Sequence, residues 1–312
     1  MKKHVIIDVI VLILFISSFS FASEKIKIAS WNIQNFGEKK ANNEAIMVLI
    51  ATILSKYDII AVQEISNLYE KSDTGCPRNE NSCPGHKNCN LLLNAFKKYL
   101  SGKENRDYDF ILSPYVKDER YLFIYDKNKV QALDSGQLIT DWGEDPDIPL
   151  CDSRSEGAMA RQPFFAKFKS GDFDFTLMTA HTKPDRNLLE LQSLALFYKR
   201  IQEIDSDQND VILLGDLNAD CRYLSDNAQI EFREVEYFWV IDNSKDTTVR
   251  DTTDCAYDRI IFTESTGEDY TGTYGIFRFD EEYGISKKTA LKISDHYPVW
   301  AEFYTDKDKD HQ

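Results

Sequence analysis

The chain has 312 residues, 42% of them hydrophobic, which is enough for one sizeable core. Its 52 acidic and 37 basic side chains give a formal charge of −15. That excludes a general basic coat for nucleic acid, so a polyanion would have to bind locally or with the help of cations.

Lys2 and Lys3 precede an apolar run, Val9–Ile16, extended by Phe19 and Phe21, and Ser20 and Ala22 stand where a signal peptidase reads small residues. This pattern predicts a signal peptide over residues 1–22 and a secreted or periplasmic protein. The competing reading is a membrane anchor; Asp8, Ser17, Ser18 and Ser20 leave the run short for a span. One domain is expected over 23–305, then a charged tail over 306–312.

After the signal, "KIKIASWNIQNFG" alternates like a strand, and Ala41–Leu54 has helical spacing with Asn42 or Asn43 as its cap. "DIIAVQE" reads as a buried strand ending at Gln63–Glu64. A Cys-rich segment, 76–89, precedes a helix over Leu91–Leu100. Strands are expected at "YDFILS", "RYLFIYD", "PFFAKF", "FDFTLMTAH", "DVILLGDLNAD", "YDRIIF" and "YPVWAEF", with an amphipathic helix over Asn187–Ile201. Strands interleaved with a few helices suggest α/β or α+β layers.

Export bears on the six cysteines, an even number that reads first as disulfides. Cys221 and Cys255 flank candidate site segments. Cys76, Cys83 and Cys89 crowd one loop, leaving Cys151 as a candidate fourth partner; His86 between Cys83 and Cys89 keeps a zinc site as the alternative.

Polar residues gather at the ends of the apolar runs: Asn32, Glu64, His181, Asp216, Asn218, Asp258, Asp295 and His296. Strand ends are where layered scaffolds collect ligand groups. Of five histidines, only His181 and His296 belong to the body of the chain apart from the Cys-rich segment. Each could be a structural histidine; two of them at strand edges near acids equally suit proton transfer. In "GDLNAD", Asp216 and Asn218 alternate and can face one side, or else form an Asx turn. Glu64 after "IIAV" is either an edge glutamate or a paired or metal-bound one. Such oxygen donors suit Mg²⁺, Mn²⁺ or Ca²⁺ better than zinc, and together with two imidazoles they suit metal-assisted phosphodiester cleavage.

In order along the chain stand "SWNIQNFG", "VQE", "DERYLFIYDKNKV", "ARQP", "AHTKP", "GDLNADC", "CAYDRI" and "ISDHYPV". Together they resemble the secreted deoxyribonuclease I branch of the endonuclease/exonuclease/phosphatase superfamily, across nearly the whole mature chain. The resemblance implies an α+β fold, a four-layer α/β/β/α sandwich of two packed mixed β-sheets with outer helices. It implies a divalent-metal-dependent endonuclease that hydrolyses DNA, mainly double-stranded, with little sequence preference. Under it Glu64 is the main ligand of Mg²⁺ or Mn²⁺, with Asn32 and Asp295 nearby, and Asp216 and Asn218 hold the scissile phosphate and the metal's surroundings. His181 oriented by Glu119, and His296 oriented by Asp258, act as acid and base, and Arg161 and Tyr257 contact phosphate. A Cys221–Cys255 disulfide is implied, as is structural Ca²⁺ at Asp246 and Thr248; the acidic "DWGEDPDIPLCD" is a second calcium candidate, and solvated loops are the alternative for both.

Departures from the family pattern are Gln34 and Ser66 where relatives carry basic residues, and Lys117 where they carry a tyrosine that packs on sugar. These should weaken and reshape groove contact. The segment between Leu112 and Glu119 is short, so actin binding is not assumed. A monomer without stable membrane association is expected. Competing functions are a superfamily phosphodiesterase acting on RNA or on a phospholipid such as sphingomyelin, and a scaffold that has lost catalysis. The lipid reading lacks a long exposed hydrophobic hairpin, and the intact His181, His296, Glu64 and Asp216 argue against the scaffold.

Overall fold

The computed structural model describes residues 24–66, 87–103, 105–139, 159–204 and 210–308. The signal segment, "DWGEDPDIPLCD" and the end of the tail lie outside the described residues, as do the side chains of Cys76, Cys83, Cys89 and Cys151, so their pairing lies outside them too.

In chain order the strands are β1 (Lys25–Phe36), β2 (Ile59–Ser66), β3 (Tyr108–Leu112), β4 (Glu119–Asp126), β5 (Gln131–Ala132), β6 (Gln137–Leu138), β7 (Phe164–Ser170), β8 (Phe173–His181), β9 (Val211–Asp216), β10 (Tyr237–Trp239), β11 (Asp258–Thr263), β12 (Tyr270–Ile276) and β13 (Val299–Tyr304). The helices are α1 (Glu38–Ala41), α2 (Glu44–Leu54), α3 (Lys87–Leu100), α4 (Asn187–Ile204), α5 (Glu264–Asp269), α6 (Phe279–Glu282) and α7 (Lys287–Ile293). One sheet has the order β12-β13-β1-β2-β4-β3; the other runs β10-β11-β9-β8-β7-β5, with β6 also on β7. Both are mixed, because β1 and β2 pair in parallel, as do β8 and β9, and the rest are antiparallel.

Side-chain alternation builds the layers. In β2, Ile59 and Ala61 face the second sheet, while Ile60 and Val62 face helices α2, α3 and α7. In β9, Ile212 and Leu214 meet the first sheet, while Val211 and Leu213 pack under α4. Three buried clusters therefore separate four layers, helix, sheet, sheet and helix, as the resemblance implies. These central strands are apolar on both faces because both are covered.

Local signals act where expected, with shifted edges. Asn43 caps α2, its side chain accepting from the Ile46 amide at 3.2 Å, so the helix begins at Glu44 and Ala41 ends the separate turn α1. The helix expected from Leu91 starts at Lys87, and the one expected to end at Ile201 runs to Ile204. Short strands β5, β6 and β10 and the half-buried β12 carry too little apolar alternation to be read from sequence.

The topology brings one end of many strands to a common edge. β1, β2, β8 and β9 finish there. Antiparallel neighbours start there: β4 at Glu119 opposite Ser66, β11 at Asp258 opposite Asp216, and β13 with Val299 opposite Ser30.

Candidate active site

The strand ends at this edge are deformed in ways that aim their side chains. β1 and β2 lose register beyond Asn32 and Val62. Gln34, Asn35 and Glu64 have φ of 51°, 50° and 61°, left-handed values that ordinary residues adopt at a cost. The deviation turns Glu64 toward Asn32, whose Nδ2 donates to Glu64 Oε1 at 2.9 Å and to Asp216 Oδ2 at 3.0 Å. The Asn35 amide donates to Glu64 Oε2 at 2.8 Å. At the end of β9, Gly215 has φ 153°, and a Cβ there would stand 2.0 Å from the Ala180 carbonyl oxygen. Only glycine permits that approach, which sets Asp216 beside His181.

Two imidazoles flank Asp216. His181 Nδ1 lies 2.9 Å from Glu119 Oε2, and its Nε2 lies 3.6 Å from Asp216 Oδ2. His296 Nδ1 lies 2.7 Å from Asp258 Oδ2, and its Nε2 is also 3.6 Å from Asp216 Oδ2. Each pairing joins the two sheets: Glu119 belongs to the first sheet and His181 to the second, while His296 leads into the first and Asp258 opens a strand of the second. Arg161 Nε lies 3.2 Å from both Glu119 Oε2 and Asp118 Oδ1, and its Nη1 donates to the His181 carbonyl at 3.5 Å.

Burial alone would discharge the imidazoles, but the carboxylates outweigh it. Against that burial, Glu119 and Asp216 hold His181 up to about 9. His296 is likewise raised, by Asp258 and Asp216. Burial would raise Asp216, yet the two imidazoles, Asn32 and the Asn218 amide keep it below the usual carboxylate range. Burial lifts the fully buried Asp258 against the pull of His296, and its Oδ1 has no hydrogen-bond partner among the described residues. Because the two rings share Asp216, loss of one proton leaves one ring able to accept and the other able to donate.

The other predicted residues take distinct places. Asn218 does not continue the strand alternation. It sits past β9 with φ 45°, buried, its Nδ2 on the Thr182 carbonyl at 3.0 Å and its amide on Asp216 Oδ1. Tyr257 is half-buried beside His296, ring centroids 6.4 Å apart. Asp295 is at the rim of the site, 3.4 Å from Arg250 Nη2. Asp246 and Thr248 lie outside the group around Asp216. Thr248 Oγ1 lies 2.7 Å from Asp246 Oδ1 and 3.1 Å from the Thr253 carbonyl, and Thr248 forms a bridge with His296, so this loop buttresses the histidine. The Cys221–Cys255 disulfide is present, with Cα atoms 5.9 Å apart. Closing 34 residues, it stabilises the fold by about 3–4 kcal/mol on a chain-entropy view.

Lys40 escaped the sequence reading. Its Nζ donates to the carbonyls of Ile33 at 2.8 Å, Ile293 at 2.6 Å and Gln34, tying the Asn32 loop to the segment before His296. Burial lowers its ammonium to about 8, against the pull of Glu64 and Asp295. Its neighbour Lys39 is exposed, and nothing in "EKKAN" separates the two. Ser294, whose Oγ donates to the Asn32 carbonyl at 2.6 Å, was equally hidden in "ISDHYPV".

A family model for the Endonuclease/Exonuclease/phosphatase family matches residues 29–296, and the chain belongs to that family. Among curated relatives, Deoxyribonuclease-1 of Bos taurus is 32% identical over 286 residues, covering 88% of this chain and 90% of the relative. Deoxyribonuclease-1 of Ovis aries is 33% identical, covering 88% and 98%, and Deoxyribonuclease gamma of Rattus norvegicus is 29% identical, covering 92% and 87%. The fold is shared with an endonuclease/exonuclease/phosphatase family protein from Bacteroides thetaiotaomicron, at TM-score 0.58 and 16% identity over 94% of this chain and 99% of that one.

Proposed function

We propose that this chain is an exported, divalent-metal-dependent endonuclease that hydrolyses phosphodiester bonds of DNA. The observation that carries the reading is the pair of imidazole Nε2 atoms, each 3.6 Å from one Asp216 oxygen and each backed on Nδ1 by its own acid. The deoxyribonuclease relatives supply the substrate class. The export signal at residues 1–22 is inferred from sequence, and no helix among the described residues is long and apolar enough to cross a membrane.

The donor chemistry fits a hard cation. Glu64 and Asp216 converge on a single amide nitrogen, and Asp295 is close enough to Lys40 to act on the same ammonium as Glu64. We place Mg²⁺ or Mn²⁺ at Glu64, with Asn32, Asp295, Asp216 and Asn218 around it. Asp216, Asp258 and His296 also bring donor atoms within 4.8 Å of one another. That trio is assigned to catalysis instead, because His296 Nδ1 is already engaged by Asp258 at 2.7 Å. When bound, the cation supplies positive charge at a non-bridging phosphate oxygen.

The side chains do the rest. One imidazole takes a proton from the attacking water at Nε2, and the other gives its Nε2 proton to the departing sugar oxygen. Glu119 and Asp258 fix the ring orientations and stabilise the charged forms. Asn218, Arg161 and Tyr257 contact the scissile phosphate. Asp246 and Thr248, with the Thr253 carbonyl, are proposed to hold a structural Ca²⁺.

Plasmid nicking with Mg²⁺ or Mn²⁺ tests the reading. EDTA should abolish it, and His181→Ala or His296→Ala should each lower kcat by about 10²–10⁴-fold. Wild-type nicking in EDTA, or full activity in either variant, rejects the mechanism. Melting the same protein with and without Ca²⁺ checks the structural site, and superimposable curves remove it.

A further inference from the structure

A row of planar groups leads outward from the catalytic imidazole. Tyr257 packs near His296, and Tyr223 lies against Tyr257 with ring centroids 5.3 Å apart and planes tilted by 39°. Arg222 covers Tyr223 in turn, its guanidinium carbon 4.9 Å from the ring centroid and its Nη2 donating to the Tyr223 hydroxyl at 2.8 Å. Tyr223 thus bridges Tyr257 and Arg222 and positions the arginine.

Arg222 differs from the other cations nearby. Arg161 is engaged by Glu119 and Asp118, Arg250 by Asp295, and Lys183 by Asp185. Among the described residues Arg222 makes no ion pair with a carboxylate; its side chain is exposed and is held by the neutral Tyr223 hydroxyl at 2.8 Å. A guanidinium held in place by a phenol keeps donors open to a phosphate. Its backbone is fixed as well. Cys221 is disulfide-bonded to Cys255, and the adjacent Asp220 accepts from the Ala256 amide at 2.7 Å, so Arg222 and Tyr257 ride on one braced unit.

Beside this row opens a cleft of about 640 Å³, lined by Arg186, Leu188, Gln192, Arg222 and Tyr223 among others. It adjoins the loop that follows His181, so it continues the catalytic edge. Arg222 and the Gln192 amide beside an exposed leucine match the phosphate and base edge of one nucleotide, while Arg186 acts on Glu190 and the lining Asp185 is paired with Lys183.

We propose that this cleft is a subsite for the DNA strand flanking the scissile phosphate, with Arg222 gripping a backbone phosphate one or two nucleotides away. The assignment rests on the nuclease reading above and deepens it. It relocates groove affinity: with Gln34 and Ser66 uncharged at one side of the site, the Arg222 side carries the strand.

The test is the salt dependence of plasmid cleavage by wild type, Arg222→Ala and Arg222→Lys, alongside turnover of bis(4-nitrophenyl) phosphate, which has no flanking nucleotide. Losing one phosphate contact should raise KM for DNA about five- to tenfold, leave kcat unchanged, and make the slope of log kcat/KM against log salt shallower by about one. Arg222→Lys should restore the slope but only part of the affinity, because an ammonium does not stack on Tyr223. Turnover of the small diester should stay at the wild-type level. An unchanged salt slope and KM in Arg222→Ala overturns the subsite, and so does an equal loss on both substrates. A wild type that turns over the small diester but leaves DNA intact overturns the nuclease reading instead.

Discussion

Buried charge sits at both ends of the same two strands, β2 and β4, and is handled in opposite ways. At one end Asp58, just before β2, meets Arg106 at 2.8 Å, Lys129 at 3.0 Å and the Lys27 amide at 2.8 Å, with Asp126 at the end of β4 lying 3.7 Å from the same guanidinium. At the other end Glu64 lies two residues before the end of β2 and Glu119 begins β4, facing an asparagine, a backbone amide and an imidazole, with Arg161 the only guanidinium that pairs with either acid among the described residues. A carboxylate matched by permanent cations has one charge state and serves as a staple. A carboxylate matched by an imidazole keeps a proton in play, which is what chemistry near neutral pH requires.

Neutralising one acid at each end breaks the comparison apart. Asp258→Asn leaves the His296 ring without its acid, and kcat should fall by about 10–100-fold. Steady-state nicking reads this, and an unchanged kcat would show that Asp258 does not orient the ring. Asp58→Asn strands Arg106 in a partly buried place and should cost about 3 kcal/mol in urea unfolding while kcat stays as it was. A loss of kcat in the folded Asp58→Asn protein would mean that the two ends are not separate in function.

A smaller effect sharpens the contrast through pH. His181 is raised in the folded protein from an ordinary value near 6.5 to about 9. Between those values the folded chain holds more protons than the unfolded one, so the contribution is complete below about pH 6.5 and disappears as pH rises through about 9. Metal-free protein should therefore lose on the order of 2 kcal/mol over that window. His181→Asn should flatten the slope in urea titrations, and an equally steep slope in that variant would place the titration elsewhere.

Much of this site was legible in the chain. Polar residues at or beside the ends of apolar runs pointed to Asn32, Glu64, His181, Asp216 and His296, because an acid, amide or imidazole bordering a buried run is conspicuous. The pairings of His181 with Glu119 and His296 with Asp258 came from family resemblance, since no local pattern links residues 62 and 38 positions apart. Lys40 and Ser294 were not legible at all. Their hydrogen bonds run to backbone groups, which carry no mark of side-chain type, so the sequence gives no signal.

The sequence by itself determined which segments must leave water, since apolar runs and helical spacing mark them, while the four-layer arrangement came from the family resemblance. It also determined the chemical kinds of group available at the strand ends. Tertiary structure decided which group meets which, because each imidazole and its acid approach from different sheets. It also decided the direction of every proton affinity at the site, because burial and the sign of a neighbour 3 Å away exist only once the two sheets have closed on each other.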